Sequence, residues 1–185
     1  MGSLSDYVKK TETEHKVGGS NGGWIKIGED SEKKVRILTF PTTMLQHFSK
    51  GGYKGFCIGK ANSCQGCEEG TKISVRHLVY AMDYDALTEK EQNPDADITV
   101  VKLFGIPHTA MSQIQALQDN PEYAFDDMPM PYDITIKRDD SGNYTKYSVL
   151  AARSNTEIPN SVLEQMPNLE STIEIVRKIR EKAQG

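Results

Sequence analysis

The sequence lacks any apolar run of the ~18 residues needed to cross a bilayer, and its first residues lack the apolar core of a signal peptide. These absences predict a cytoplasmic protein with no membrane partner. Cysteine is also scarce, with three residues in the whole chain, and an odd number cannot all form internal disulfides. In a reducing compartment, cysteines at short spacing are more often metal ligands than disulfides.

Catalytic signatures are missing as well. No phosphate-binding loop, nucleophile elbow or dinucleotide fingerprint occurs, and "GGSNGG" is a lone glycine-rich string typical of a linker. We therefore expect a protein that is not an enzyme and has no small-molecule substrate.

A chain of 185 residues can bury one respectable core. Residues 1–23 have no periodicity and predict a flexible N-terminal arm. Residues 24–160 predict the core, and residues 161–185 a helical segment with an apolar stripe and a basic end. Strands are predicted over 24–27, 34–40, 73–85, 97–106, 132–138 and 144–152, with a helix over 107–121 and an acidic loop between the third and fourth strands. This order predicts a mainly β fold with added helices (α+β), in which the strands form a small, partly open barrel.

Charge is unevenly distributed. The net charge is -4, but residues 85–97 and 119–133 together carry -9. Residues 34–80 hold seven lysines and arginines against two glutamates. Because a local field steers a polyanion more than the total charge does, this basic half is compatible either with nucleic acid or with an ordinary solvated surface.

The cysteines form a cluster with zinc-ligand spacing. Cys64 and Cys67 have the two-residue spacing of a knuckle, and Cys57 lies seven positions upstream. His47 and His77 are the alternatives for a fourth ligand, and spacing alone does not separate them. Four protein ligands leave no open coordination position, so the sequence predicts one structural zinc ion in a subdomain at about residues 44–72. A zinc deaminase is disfavoured because the glutamate of its His-x-Glu motif is absent after His47.

Several features then occur in one order: an arm, "KVRILTFP", the His and Cys cluster, "VVKLFGIPHTAMSQI", and "EIPN" before a terminal helix. Over roughly residues 24–170 this resembles the phage single-stranded-DNA-binding proteins of the T4 helix-destabilising type. The resemblance implies a five-stranded OB-fold with an inserted zinc subdomain, His47 as the first zinc ligand, and His77 near a DNA groove. It also implies a role in DNA replication, recombination and repair in the host cytoplasm, with self-association on DNA and replication proteins as further partners.

Two features depart from that family. The arm's lysines are offset by acids, and the chain ends in basic rather than acidic residues. The family's cooperative arm and acidic partner-recruiting tail are therefore not carried over to this sequence.

A groove for single-stranded DNA needs cations along the phosphates and flat apolar faces beneath the bases. Aromatic and basic residues are interleaved along the chain, and Tyr53 and Phe56 are the leading stacking residues because a zinc-held loop has little core in which to bury them. The predicted nucleic-acid-binding residues are Trp24, Lys26, Lys34, Arg36, Lys50, Tyr53, Lys54, Phe56, Arg76, His77, Tyr80, Lys102, Phe104, Lys137, Arg138 and Tyr147. The alternatives are a zinc-ribbon module that docks proteins of a replication or transcription complex and, more weakly, a nucleic-acid-modifying zinc enzyme.

Overall fold

The computed structural model describes residues 23–48, 55–155 and 157–174. The predicted arm up to residue 22, the predicted DNA contacts Lys50, Tyr53 and Lys54, and residues 175–185 of the predicted C-terminal helix lie outside the described residues. The strands are β1 (Trp24–Ile25), β2 (Glu32–Ile37), β3 (Thr42–Phe48), β4 (Gly55–Phe56), β5 (Lys72–Asp83), β6 (Val101–Pro107), β7 (Tyr132–Asp139) and β8 (Lys146–Asn155). The helices are α1 (Gln65–Glu68), α2 (Tyr84–Gln92), α3 (His108–Gln118) and α4 (Asn160–Leu163), and Lys60–Asn62 form a 3-10 turn.

The strands form one eight-stranded sheet around β5. Seven of the twelve residues of β5, Arg76 to Met82, pair with β6 along one edge, whereas the other edge is shared by β3 at its start and β2 at its end. β2 continues to β7 and β8, and β1 adds a short parallel pair outside β6. The first half of β5 and its partner β3 therefore extend away from the rest of the sheet, and we call this two-stranded extension the arm of the sheet.

The sheet is covered on both faces. One cluster of buried apolar side chains joins β2, the end of β5, β6 and β7 to α3, with Ala110 and Ile114 as the buried residues of the helix. A second cluster lies on the opposite face of β5, where Val162, Leu169 and Ile173 of the C-terminal segment pack against it. Burial on both faces explains why the last six residues of β5 are all buried instead of alternating.

Much of the predicted element order is present. The six predicted strands correspond to β1, β2, β5, β6, β7 and β8, and the predicted helix over 107–121 corresponds to α3. One prediction is wrong. The segment read as an acidic loop begins with helix α2, whose first turn is capped by the Asp83 carboxylate accepting from the Asp85 amide. β3 and β4 have no counterpart among the predicted strands, and β3 pairs with β5 along seven residues.

The structure is a mixed α/β protein with a sheet-rich core. Within residues 23–48, 55–155 and 157–174, no pairing joins β8 to β1, so these two strands remain edges of the sheet. The described part of the C-terminal segment contains α4 and a helical stretch over residues 169–174, with Pro167 between them.

Candidate metal centre

Four side chains with metal-binding chemistry meet at the far end of the arm. His47 lies near the end of β3, and Cys57 follows β4. Cys64 directly precedes α1, and Cys67 lies within it. β3 pairs with β4 next to His47, and the Cys57 amide donates to the Leu45 carbonyl at 2.8 Å, which fixes Cys57 beside the histidine. The Cys67 amide donates to the Cys64 carbonyl at 2.9 Å, which holds both knuckle thiols at one end of α1.

The four donor atoms converge. All lie within 4.8 Å of one another. His47 Nε2 is 3.4 Å from Cys64 Sγ and 3.6 Å from Cys67 Sγ, and the sulfurs of Cys57 and Cys67 are 3.4 Å apart. His47 and Cys64 are buried, whereas Cys57 and Cys67 are half-buried. These four residues could hold a metal ion, and all four are those that the sequence reading proposed.

The thiols influence one another's ionisation. Burial disfavours the Cys64 thiolate, but hydrogen bonds from the amides of Cys67 and Ile58 and from the neighbouring thiols outweigh it and lower the pKa of Cys64 to about 6. The hydrogen bond with Cys57, together with burial and the neighbouring sulfurs, raises the pKa of Cys67 to about 11. Without a cation, one thiolate is favoured and the next is opposed. A bound metal ion would supply the positive charge that lets several thiolates coexist.

Thr71 is a contributor that the sequence reading missed. Its Oγ1 lies 2.9 Å from His47 Nδ1, the ring nitrogen that faces away from the sulfurs. The same hydroxyl donates to the Gly66 carbonyl at 3.0 Å. A threonine four residues beyond a knuckle cysteine has no motif that distinguishes it from an ordinary strand-flanking residue, so only the folded geometry reveals this contact.

His77, the alternative ligand, lies elsewhere. It is in the middle of β5, where its Nε2 is 3.0 Å from Nδ1 of His108 and its Nδ1 is 3.3 Å from Oγ1 of Thr43. Burial, and secondarily the charge of His108, lowers the pKa of His77. The structure thus brings His47, and not His77, to the three cysteines.

Several residues that were predicted to contact nucleic acid are buried in the folded chain. Arg36 is 1% exposed and forms an ion pair with Asp133, with Nη2 and Oδ1 2.5 Å apart. Tyr80 and Phe104 are interior core residues, and Phe56 packs with Trp24 in the second apolar cluster at a ring-centroid distance of 5.9 Å. The expectation that the loop could not bury Phe56 is wrong because β4 carries it into that cluster.

Other predicted contacts are engaged by neighbours. Lys102 pairs with the Asp83 carboxylate at 2.9 Å, and Arg138 pairs with Asp140 at 2.6 Å. Lys34 pairs with Asp133 at 3.1 Å and lies over the ring of Tyr84. Tyr147 packs against the first apolar cluster.

Of the predicted contacts that the structure describes, Lys26, Lys34 and Lys137 are exposed, and Arg76 and His77 are half-buried. The Arg76 guanidinium lies 5.3 Å from the ring centroid of Phe48, a residue absent from the predicted set. Lys72 is exposed and directly opposite Phe48 in the β3/β5 register. Because alternate residues of a strand share a face, Phe48, Lys72 and Arg76 form one aromatic-basic cluster on one face of the arm.

Across the described part of the chain, no helix is both long and apolar enough to span a bilayer. Comparison with protein-family models, with curated proteins and with solved structures finds no match to this chain.

Proposed function

We propose that this chain binds single-stranded DNA without sequence preference. In this proposal the arm of the sheet contacts the DNA, and one structural zinc ion stabilises that arm. The role is that of a binding protein and not of an enzyme. The observation that carries the proposal is the aromatic-basic cluster of Phe48, Lys72 and Arg76, placed one residue beyond the metal ligand His47.

Zinc is favoured by the donor set and by its spacing. Zinc bonds of about 2.3 Å to sulfur and 2.0–2.1 Å to nitrogen, at tetrahedral angles, place a nitrogen and a sulfur ligand about 3.6 Å apart. The separations of His47 Nε2 from the two nearest sulfurs are 3.4 and 3.6 Å. Four protein ligands complete the tetrahedron, which makes the ion a structural crosslink rather than a site for water activation.

The aromatic-basic cluster has the chemistry that single strands need. Phe48 is 38% exposed, so part of its ring can accept a base, and stacking on an aromatic side chain contributes about 1–3 kcal/mol per base. Lys72 lies opposite Phe48 in the strand register and Arg76 lies over its ring, and both cations can neutralise phosphates without reading a base edge. The residues that follow Phe48 in sequence add Lys50, Tyr53 and Lys54 to the same region of the chain.

The proposal extends to architecture and biological setting. The long β5 with three strand partners, and the helix α3 before the last hairpin, are compatible with an OB-fold that carries an inserted zinc subdomain. We place the chain, by its resemblance to the T4 helix-destabilising type, in phage DNA replication, recombination and repair, in the host cytoplasm. Self-association on DNA and contacts with replication proteins belong to the same proposal.

A second function is favoured by the other face of the arm. Leu45 and Ile73 are 44% and 47% exposed there, which is the chemistry of a protein contact in a zinc-ribbon docking module.

Titration of the purified chain with a fluorescently labelled dT oligomer at rising NaCl separates the two functions. DNA binding predicts an affinity that falls steeply with salt, as counterions are released. Protein docking predicts no binding to the oligomer even at low salt, and that result would reject our proposal.

A further inference from the structure

We propose that Thr71 is a positioning residue of the metal centre, which fixes the tautomer of His47 and links that ligand to the cysteine knuckle. The inference rests on the proposed zinc site and names a residue beyond its four ligands. It follows from counting the protons available between three groups.

The hydroxyl of Thr71 has one proton. Oγ1 lies 3.0 Å from the Gly66 carbonyl oxygen, which can only accept, and we assign the hydroxyl proton to this bond. Oγ1 also lies 2.9 Å from His47 Nδ1. With its own proton already given to Gly66, the hydroxyl can meet this nitrogen only as an acceptor, and Nδ1 must carry the hydrogen.

The backbone of Thr71 leads to the same assignment. Its carbonyl oxygen lies 3.4 Å from His47 Nδ1 and is also an acceptor. Nδ1 therefore faces two oxygens, each of which requires an N–H. A neutral imidazole with its proton on Nδ1 has a lone pair on Nε2, and Nε2 is the nitrogen that faces the sulfurs of Cys64 and Cys67. Thr71 thus prepares His47 to bind a metal through Nε2.

Thr71 also joins the two parts of the centre. The Gly66 carbonyl accepts from the Thr71 hydroxyl and from the Thr71 amide, the latter at 2.9 Å. Gly66 lies within α1, between the two knuckle cysteines, whereas His47 is on β3. The chain from His47 through Thr71 to Gly66 therefore couples the ring orientation of one ligand to the position of the helix that carries another. Gly70, with φ of +65°, makes the turn that brings Thr71 back over α1.

Thr71→Val tests this role because it removes the hydroxyl and keeps the branched shape. Thr71→Ser restores the hydroxyl, and Thr43→Val is the matched control, since Thr43 makes the corresponding contact with the non-ligand His77. The zinc affinity of each purified chain is measured by competition with a chromophoric chelator. We expect a 10- to 100-fold loss for Thr71→Val, the range for removed outer-shell partners, and near wild-type affinity for the other two variants.

The tautomer itself gives a readout that a general packing defect would not change. In long-range ¹⁵N–¹H spectra of the zinc-loaded wild type, His47 should show a protonated Nδ1. Equal zinc affinity in wild type and Thr71→Val, failure of Thr71→Ser to restore it, or a protonated Nε2 would overturn the inference. Absence of zinc binding by the wild type would instead reject the metal site itself, so the two failures are distinguishable.

Discussion

His47 and Cys64 face each other across 3.4 Å between Nε2 and Sγ, although they are 17 positions apart in the chain. β3 and β4 bring the histidine to one side, and the segment that leads into α1 brings the cysteine to the other. A metal ion bound by both residues would crosslink β3, in the arm of the sheet, to the segment between β4 and β5. The geometry therefore connects metal binding to the shape of the surface that carries Phe48.

Substitution of His47 and of His77 tests which of the two histidines is a zinc ligand. His47→Ala should lower zinc from one ion per chain to substoichiometric content, because a buried donor is lost. His77→Ala is the control and should retain one zinc, since His77 contacts His108 and Thr43 instead of the cysteines. Metal analysis by mass spectrometry after gel filtration measures both. Loss of zinc from His77→Ala with retention in His47→Ala would reverse the ligand assignment.

Substitutions in the aromatic-basic cluster should separate charge from stacking. Arg76→Ala and Lys72→Ala should each reduce the slope of log affinity against log salt by about 0.7, the value for one phosphate contact on a single strand. Phe48→Ala should weaken binding by about 1–3 kcal/mol with an unchanged slope, because stacking releases no counterion.

Arg153→Ala, an exposed cation on β8, is the matched control for this series and should bind DNA as wild type does. Zinc content is measured for Phe48→Ala because Phe48 adjoins His47. If all three variants of the cluster bind as wild type does, the DNA lies on another surface.

The ion pair of Arg36 and Asp133 should make stability depend on pH. Burial alone would raise the pKa of Asp133, but hydrogen bonds from Tyr84, Lys34 and Arg36 outweigh it and hold the pKa below its ordinary value. A carboxylate with a lowered folded-state pKa stabilises the protein above its unfolded-state pKa of about 4, and this contribution is lost as the pH falls through the folded-state pKa.

Asp133→Asn should therefore cost about 3–5 kcal/mol at pH 7, because it leaves the Arg36 charge buried without its carboxylate. The difference from wild type in urea unfolding should begin to shrink below about pH 4, where Asp133 of the unfolded chain takes up a proton, and should disappear only at the lower pH where folded Asp133 is also protonated. Asp126→Asn, at an exposed position, should change stability by less than about 0.5 kcal/mol. A difference for Asp133→Asn that stays constant with pH would contradict the role of the charge.

Gln113 of α3 protects the edge of β8. Its side-chain amide donates to the Tyr147 carbonyl at 2.8 Å and accepts from the Val149 amide at 3.0 Å, as a neighbouring strand would. Gln113→Ala should cost about 1–3 kcal/mol in urea unfolding and speed hydrogen exchange at Val149. Gln115→Ala, at an exposed position on the same helix, should do neither. Unchanged exchange at Val149 in Gln113→Ala would contradict the protective contact.

The metal centre was accessible from sequence because its information is local. Thiol and imidazole side chains at knuckle spacing in a reduced chain are typical of metal sites, and all four predicted ligands meet in the folded chain. α3 and the β7–β8 hairpin were predictable for the same reason. Apolar periodicity indicates the helix, and turn residues indicate the hairpin.

The burial of several predicted DNA contacts could not be predicted from the sequence, because burial depends on which strands become neighbours. Arg36 reads as an outward-facing cation until β7 places Asp133 against it. Phe56 and Tyr80 read as free aromatics until the C-terminal segment covers the cluster that contains them. Phe48 was overlooked because the strand that exposes it, β3, gives no clear alternating pattern.

The most direct test compares one preparation of the chain with zinc, after chelation, and after zinc is restored, in titrations with a labelled dT oligomer at low salt. We predict tight, salt-sensitive binding with zinc, at least about tenfold weaker binding once the arm loses its metal crosslink, and recovery on reloading. Equal affinity in all three states, or no binding by the zinc-loaded chain, would contradict a zinc-held surface for single-stranded DNA.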